Sequence, residues 1–261
     1  TEPFYSLLVR CVEEELKIKG YQILLGSYNF DFKEEEKLIH TFQRFPVDGM
    51  IIIAGLNETD ADYGVLSESI PVVYLDRHPK NWDIPTVVAD HKKIGIDAVD
   101  YLAARGHKEI AHLTIPYCDF KTAELRVDGF TEGMKKNKLV FRKSSLLIYD
   151  NIRLNEIPTS LNIAKTISST GITALFAVSD YVAIGLLKGL SMLGVRVPED
   201  ISILSVTNVP YSLVTTPSLS SIDLSPRYSA KKAVQLLLDL VKGDVEKSTW
   251  VKVPHCIVER E

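Results

Sequence analysis

Polar residues recur at one kind of place in this chain, immediately past short apolar runs. VVYL is followed by Asp76 and Arg77, TVVA by Asp90 and His91, and SLLIY by Asp150 and Asn151. LFAV is followed by Ser179 and Asp180, and SILSV by Thr207 and Asn208. Arg126 sits just inside a helical stretch, AELRVDGF. Carboxylates accept hydrogen bonds from neighbouring hydroxyls, Ser, Thr and Asn both donate and accept, and a guanidinium grips hydroxyls or carboxylates at two points. Such a set suits non-covalent recognition of a small polar molecule. A strand-end aspartate also has a structural use, as the cap of the next helix. Asp90 before HKKIG and Asp180 before YVAIGLL fit that use, whereas Asp76 is followed by a long loop and fits it less well.

Catalytic patterns are missing from the sequence. No G-x-G-x-x-G or G-x-x-x-x-G-K-[ST] cradle for phosphates occurs, and no G-x-S-x-G elbow. His107 and His112 lie five apart, the wrong spacing for one helical face, with no matching acid. The expectation is a binding protein rather than an enzyme, with no cofactor and no metal.

The elements that must carry the polar residues alternate. FYSLLVRCVEEELKIKG places Phe4, Leu8, Val12 and Leu16 at i, i+4 spacing with Gly20 as the stop, an amphipathic helix. YQILLGSY then reads as a strand, EEEKLIHTFQRF as a helix, and VDGMIII, IPVVYLD and TVVAD as strands; continuous apolar runs of this kind mark strands buried on both faces. The rhythm continues with a helix closed by Gly106, strands at EIAHLT, SSLLIYD, TALFAV and DISILSV, and helices between them closed by Gly171 and Gly194. Strands separated by helices of this length predict parallel sheets built from βαβ units. At 261 residues, two doubly wound sheets are the economical arrangement. A further helix, RYSAKKAVQLLLDLVKG, and an extended tail, TWVKVPHCIVERE, are left over. In a doubly wound sheet the first strand is central. Here a helix comes first, with Pro3 in its first turn, and the expectation is that further residues precede Thr1.

Composition narrows the partners. The formal net charge is −4, with 30 basic and 34 acidic residues, so the chain is a poor candidate for gripping a phosphate backbone by itself. Cys11, Cys118 and Cys256 are odd in number and far apart, which suggests reduced, buried thiols in a cytoplasmic protein. No stretch reaches the length of an apolar membrane span, and no signal peptide opens the sequence.

The segments VDGMIII, IPVVYLDR, ARGHKEIAHL, RVDGF, FAVSDYVAIGLLKGL, GVRVPEDISIL and PSLSSI follow one another in the order and spacing of the lactose-repressor (LacI/GalR) family of bacterial transcription regulators. The resemblance covers essentially the whole chain. It implies two lobes of the periplasmic-binding-protein type I fold: 1–89 plus 222–246, and 90–221 plus 247–261. It further implies an effector site between the lobes for a sugar or other small metabolite, a homodimer formed through the core, and operator DNA bound by an N-terminal helix-turn-helix headpiece outside this sequence. Helices at 60–70 and 92–105 carry more apolar surface than one sheet face needs, which agrees with a dimer. Carried over by motif, Asp76 matches a strand-end ligand contact and Arg126 the regular effector contact on a helix. Phe4 and Tyr5 match an aromatic floor. Ser179 stands where Asn is usual, Asp180 is retained, and Thr207 and Asn208 stand where the family often has acids. Asn151 and Ala89 complete the candidate set. A solute-binding protein of a sugar transporter shares the fold and is the alternative reading.

Overall fold

A computed structural model of the chain describes residues 3–28, 31–53, 70–76, 84–116, 120–149, 157–244 and 249–261. It divides into two compact units, and the chain passes between them at Ala89/Asp90, Leu224/Ser225 and Pro254/His255, with Phe120 and Lys121 also grouped with the first.

The first unit contains helices α1 (Pro3–Ile18) and α2 (Phe32–Phe42), strands β1 (Met50–Ile53), β2 (Val72–Leu75) and β3 (Thr86–Ala89), and the returning helix α8 (Pro226–Lys242) with strand β9 (Trp250–Val253). Its sheet runs β1-β2-β3-β9, parallel throughout. α1 buries the stripe its spacing foretold, Phe4, Leu8, Cys11, Val12 and Leu16, and packs against α8. On one face of the sheet Met50, Ile52, Val72 and Tyr74 meet Ile39 and Phe42 of α2. These residues alternate along their strands, as one face of a pleated sheet requires.

Two expectations change here. Residues 21–28 join no sheet, and Leu24 and Leu25 are 60% and 68% exposed. The segment is extended and apolar enough for a strand, but β1 pairs with β2 alone among the described residues, and a strand needs a neighbour to complete its ladder. The segment is held instead by the Tyr28 hydroxyl, which donates to the Ile53 carbonyl at 2.8 Å. The extended tail, assigned whole to the second lobe, is cut at Pro254. Trp250–Val253 pairs with β3, and Cys256–Val258 crosses to the other sheet. Cys256 is also exposed, whereas Cys11 is buried as expected and its thiol is pushed upward by that burial.

The second unit contains α3 (His91–Ala104), β4 (Ile110–Thr114), α4 (Lys121–Lys136), β5 (Leu146–Ile148), α5 (Ile157–Ser168), β6 (Ala174–Ala177), α6 (Asp180–Met192), β7 (Ser202–Thr207), the short α7 (Tyr211–Val214), β8 (Ser220–Asp223) and β10 (Cys256–Val258). The sheet order is β10-β8-β7-β6-β4-β5, parallel except for β10. One face packs Ala111, Leu113, Leu175 and Ile203 against Ile163 and Ile167 of α5 and Leu186 and Leu190 of α6. The alternate residues of β4, among them His112, face the other way, where His112 stacks on Phe176 and meets Phe130 of α4. α3 and α4 touch backbone to backbone: a Cβ on Gly129 would lie 1.9 Å from the Lys92 carbonyl oxygen, so only glycine allows the contact. The apolar stripe of α3, Ile94, Ala98, Val99 and Leu102, is buried within its own unit. It therefore offers no surplus surface for a dimer, and residues 60–69 lie outside the described residues.

Candidate ligand site

The carboxyl ends of parallel strands are where open α/β sheets bind ligands, and each unit presents candidates there. In the first unit Asp76 directly follows β2 and holds φ +54°, with its N–H donating to the Val87 carbonyl at 2.9 Å. Ala89 ends β3 and is buried. Phe4 and Tyr5 lie in the first turn of α1 with their rings edge to face at 5.6 Å; Phe4 is buried in the core and Tyr5 is half-buried.

In the second unit Arg126, one turn into α4, is only 8% exposed rather than solvated. Its Nη1 donates to the carbonyl of Val178, the residue after β6, at 2.9 Å. Thr207 ends β7, the strand beside β6. It holds φ +109°, a region β-branched residues avoid at a cost of about 1–3 kcal/mol. Its hydroxyl is buried and has no hydrogen-bond partner among the described residues. Strain of this kind persists only where surrounding bonds over-determine it. Asn208, also left-handed at φ +51°, supplies several of those bonds. Its N–H donates to Ser221 Oγ at 3.0 Å, its Nδ2 to Asp223 Oδ2 at 2.7 Å, and its Oδ1 accepts from Arg260 Nη2 at 2.6 Å. Asn208 thus spends its amide on the fold.

Asp180 does the same more completely. It is fully buried, and each oxygen accepts twice: Oδ1 from the hydroxyls of Ser205 and, at 2.5 Å, Ser221; Oδ2 from the Val209 N–H at 2.6 Å and Ser212 Oγ at 2.7 Å. That fills the hydrogen-bonding capacity of a carboxylate and compensates a charge that would otherwise be costly to bury. The carboxylate does not cap α6, contrary to the structural use its position suggested. Ser179 does, accepting from the Val182 N–H at 3.3 Å, because it holds the extended backbone of an N-cap while Asp180 is already helical. Asp90 caps α3 as its position suggested, accepting from the Lys93 N–H at 3.1 Å. Asp150 and Asn151 lie outside the described residues.

Below this edge His112 is fully enclosed. Its Nδ1–H donates to the Phe176 carbonyl at 2.9 Å, which leaves Nε2 as a buried lone pair. Burial above all, opposed by the hydrogen bond to Phe176 and aided by the positive charge of Arg126, lowers its pKa from 6.5 to about 3, so the ring is neutral at physiological pH. Strand-end reasoning overlooked Ser205, Ser212, Ser221, Asp223 and Arg260. The serine-rich SLSSID stretch was the available signal: hydroxyls inside a sheet strand call for a buried acceptor nearby.

Two sheets of this order, each parallel in the main and with polar groups at the strand ends, define a periplasmic-binding-protein-like ligand-binding fold. Residues 99–261 match the periplasmic binding protein-like domain family. Catabolite control protein A of Streptococcus mutans is 30% identical over 98% of this chain and 76% of its own length. The transcriptional repressor PurR of Vibrio cholerae is 26% identical over 100% of this chain and 77% of its own. The crystal structure of the transcription regulator CcpA of Lactococcus lactis superimposes with a TM-score of 0.87 at 26% identity, covering 100% of this chain and 94% of that one. The chain belongs to the lactose-repressor family of bacterial transcription regulators and corresponds to the effector-binding core of its members.

Proposed function

We propose that this core senses a small polyhydroxylated metabolite, a sugar or sugar derivative, and governs operator binding by the helix-turn-helix headpiece typical of the family, in a cytoplasmic homodimer. One observation carries the ligand reading. A buried guanidinium, Arg126 of α4, is hydrogen-bonded to the Val178 carbonyl just past β6, and a strained, buried hydroxyl with no hydrogen-bond partner among the described residues, Thr207, ends the adjacent β7. A guanidinium donates to hydroxyl oxygens, and a threonine hydroxyl both donates and accepts. The matched relatives are regulators rather than transporter components, which favours this reading over a solute-binding protein. Tyr211, Leu213 and Val214 of α7 are apolar and at least 60% exposed, and provide surface for a partner copy.

A charged ligand is the second reading, favoured by uncharged residues at positions 179 and 207 together with the cation of Arg126. A thermal-shift panel of D-ribose, D-glucose, their terminal phosphates and purine nucleosides separates the two, because a ligand bound only by the native state raises its apparent stability. Arg126→Ala should weaken the responding ligand about ten- to a hundred-fold, the worth of a hydrogen bond to a charged group. Thr207→Asp should be tolerated by a neutral sugar and strongly resisted by a phosphate. An Arg126→Ala protein that binds as tightly as the parent would remove the pocket reading.

A further inference from the structure

Residues 259–261 are tied to the strained turn and its surroundings. Arg260 Nη1 donates to the Leu219 carbonyl, its Nη2 to Asn208 Oδ1 at 2.6 Å, and its N–H to Ser220 Oγ at 2.9 Å. The next residue holds too, with Glu261 Oε2 accepting from the Ser218 N–H at 3.0 Å. The preceding residue forms an ion pair, Glu259 with Arg105 at 2.6 Å, and Arg105 itself lies over the Tyr101 ring at 3.4 Å. The tail is therefore anchored at several points along β8 and to α3, and Arg260 is fixed before it reaches Asn208.

We propose that Arg260 is a positioning residue for the Thr207–Asn208 turn, and through it for the Thr207 hydroxyl. Thr207 at φ +109° and Asn208 at φ +51° are two successive non-glycine residues in sparsely populated backbone regions. Something outside the turn must select that conformation. The Asn208 side chain is the lever, since its amide is clamped between Asp223 on one side and Arg260 on the other. The clamp also fixes which end of the amide is oxygen, because a guanidinium only donates and a carboxylate only accepts. Asn208 N–H then donates to Ser221 Oγ, which passes its own hydrogen to Asp180. The turn is thus pinned from the tail by Arg260 and from the core by Asp180. A guanidinium fork suits the first job: its two nitrogens hold the Leu219 carbonyl and Asn208 at once, which a single ammonium cannot reproduce. For ligand binding, the inference rests on the reading of Thr207 as a contact; for the turn itself, it does not.

The experiment uses this chain without ligand, so its outcome is independent of which ligand is bound. Amide hydrogen exchange is followed by NMR in the parent, Arg260→Gln, Arg260→Lys and Asn208→Ala. Arg260→Gln should speed exchange at Asn208 and Val209 at least tenfold, while amides of Phe176 and Leu204 in the neighbouring strands keep their parental rates. Asn208→Ala should open the turn to a similar degree, and the double variant should add little, since both single changes break one clamp. Arg260→Lys should give intermediate protection. Acceleration spread evenly over the second unit, no change at Asn208 and Val209, or strictly multiplicative effects in the double variant would each overturn the proposal. If Arg260→Gln fails to fold, the lysine and alanine variants still decide between a local and a general effect. A loosened turn in a protein that answers to none of the sugars, phosphates or nucleosides would sink the ligand reading alone.

Discussion

Lowering the pH from 7.5 to 5 should cost the second unit about 2 kcal/mol through His112 alone. The folded imidazole is enclosed between Phe176 and Phe130, near Arg126, and binds a proton only near pH 3. In the unfolded chain it titrates at its ordinary value of 6.5. Between these values the unfolded state carries the extra proton, so stability rises with pH there and is lost as pH falls. The contribution is fully present above about pH 6.5 and declines through the interval down to about pH 3. At pH 5 the unfolded ring is favoured by 1.5 pH units, and at about 1.36 kcal/mol per unit this gives the figure above. The amount at pH 5 is insensitive to the folded value so long as that value stays well below 5. The assay is urea unfolding at the two pH values, read by peptide-level hydrogen exchange in β4 and β6 so that the signal comes from this unit. With an m-value of about 2 kcal/mol/M, the midpoint should drop by roughly 1 M. Other groups titrate in the same window, so His112→Leu is the reference: it should remove about 2 kcal/mol of the pH dependence. A leucine variant as pH-sensitive as the parent would show that His112 is protonated in the fold, and that its enclosure is misjudged.

Asp180→Ala should destabilise the second unit by at least about 3 kcal/mol in urea unfolding, because four buried donors lose their acceptor together. Asp180→Asn, which turns a donating amide toward donors, should recover little of this; a loss below about 1 kcal/mol in both would refute the hub. Gly129→Ala sets two effects of opposite sign against each other. Helix propensity favours alanine by about 1 kcal/mol, whereas a Cβ placed 1.9 Å from the Lys92 carbonyl oxygen must push α3 and α4 apart at about 1–3 kcal/mol or more. Net destabilisation by thermal unfolding is the expected result, and a stabilised protein would mean that the helices separate freely.

The fold was legible because its signals are local. The α1 stripe of Phe4, Leu8, Val12 and Leu16 needs only the helical period, and the runs MIII, VVYL, TVVA and ALFA need only their apolarity and bounding turns. Residues 21–28 were misread as a strand for the same reason: their composition suits a strand, but strand formation is decided by a neighbour, which local pattern does not report. The tail was misread as one piece because Pro254 interrupts it without announcing that the two halves belong to different sheets.

The strand-end residues show a sharper limit. By position alone Thr207, Asn208, Ser179 and Asp180 are equivalent, each polar and each past an apolar run. What separates them is the supply of partners from strands far away in sequence. Asp180 is surrounded by hydroxyls because β7 brings Ser205, β8 brings Ser221 and α7 brings Ser212. Asn208 is occupied because the antiparallel β10 pairs with β8 and delivers Arg260 beside it. Thr207 points its hydroxyl where no strand among the described residues sends a partner. The order β10-β8-β7-β6 therefore carries the information, and chain order does not. A strand-end acid flanked in space by serines is spent on the fold, whereas a strand-end hydroxyl held in a strained turn without a partner among the described residues is the group that the proposed ligand would complete. The distinction predicts different consequences of mutation: substitutions at Asp180 should be read in stability, and substitutions at Thr207 in affinity.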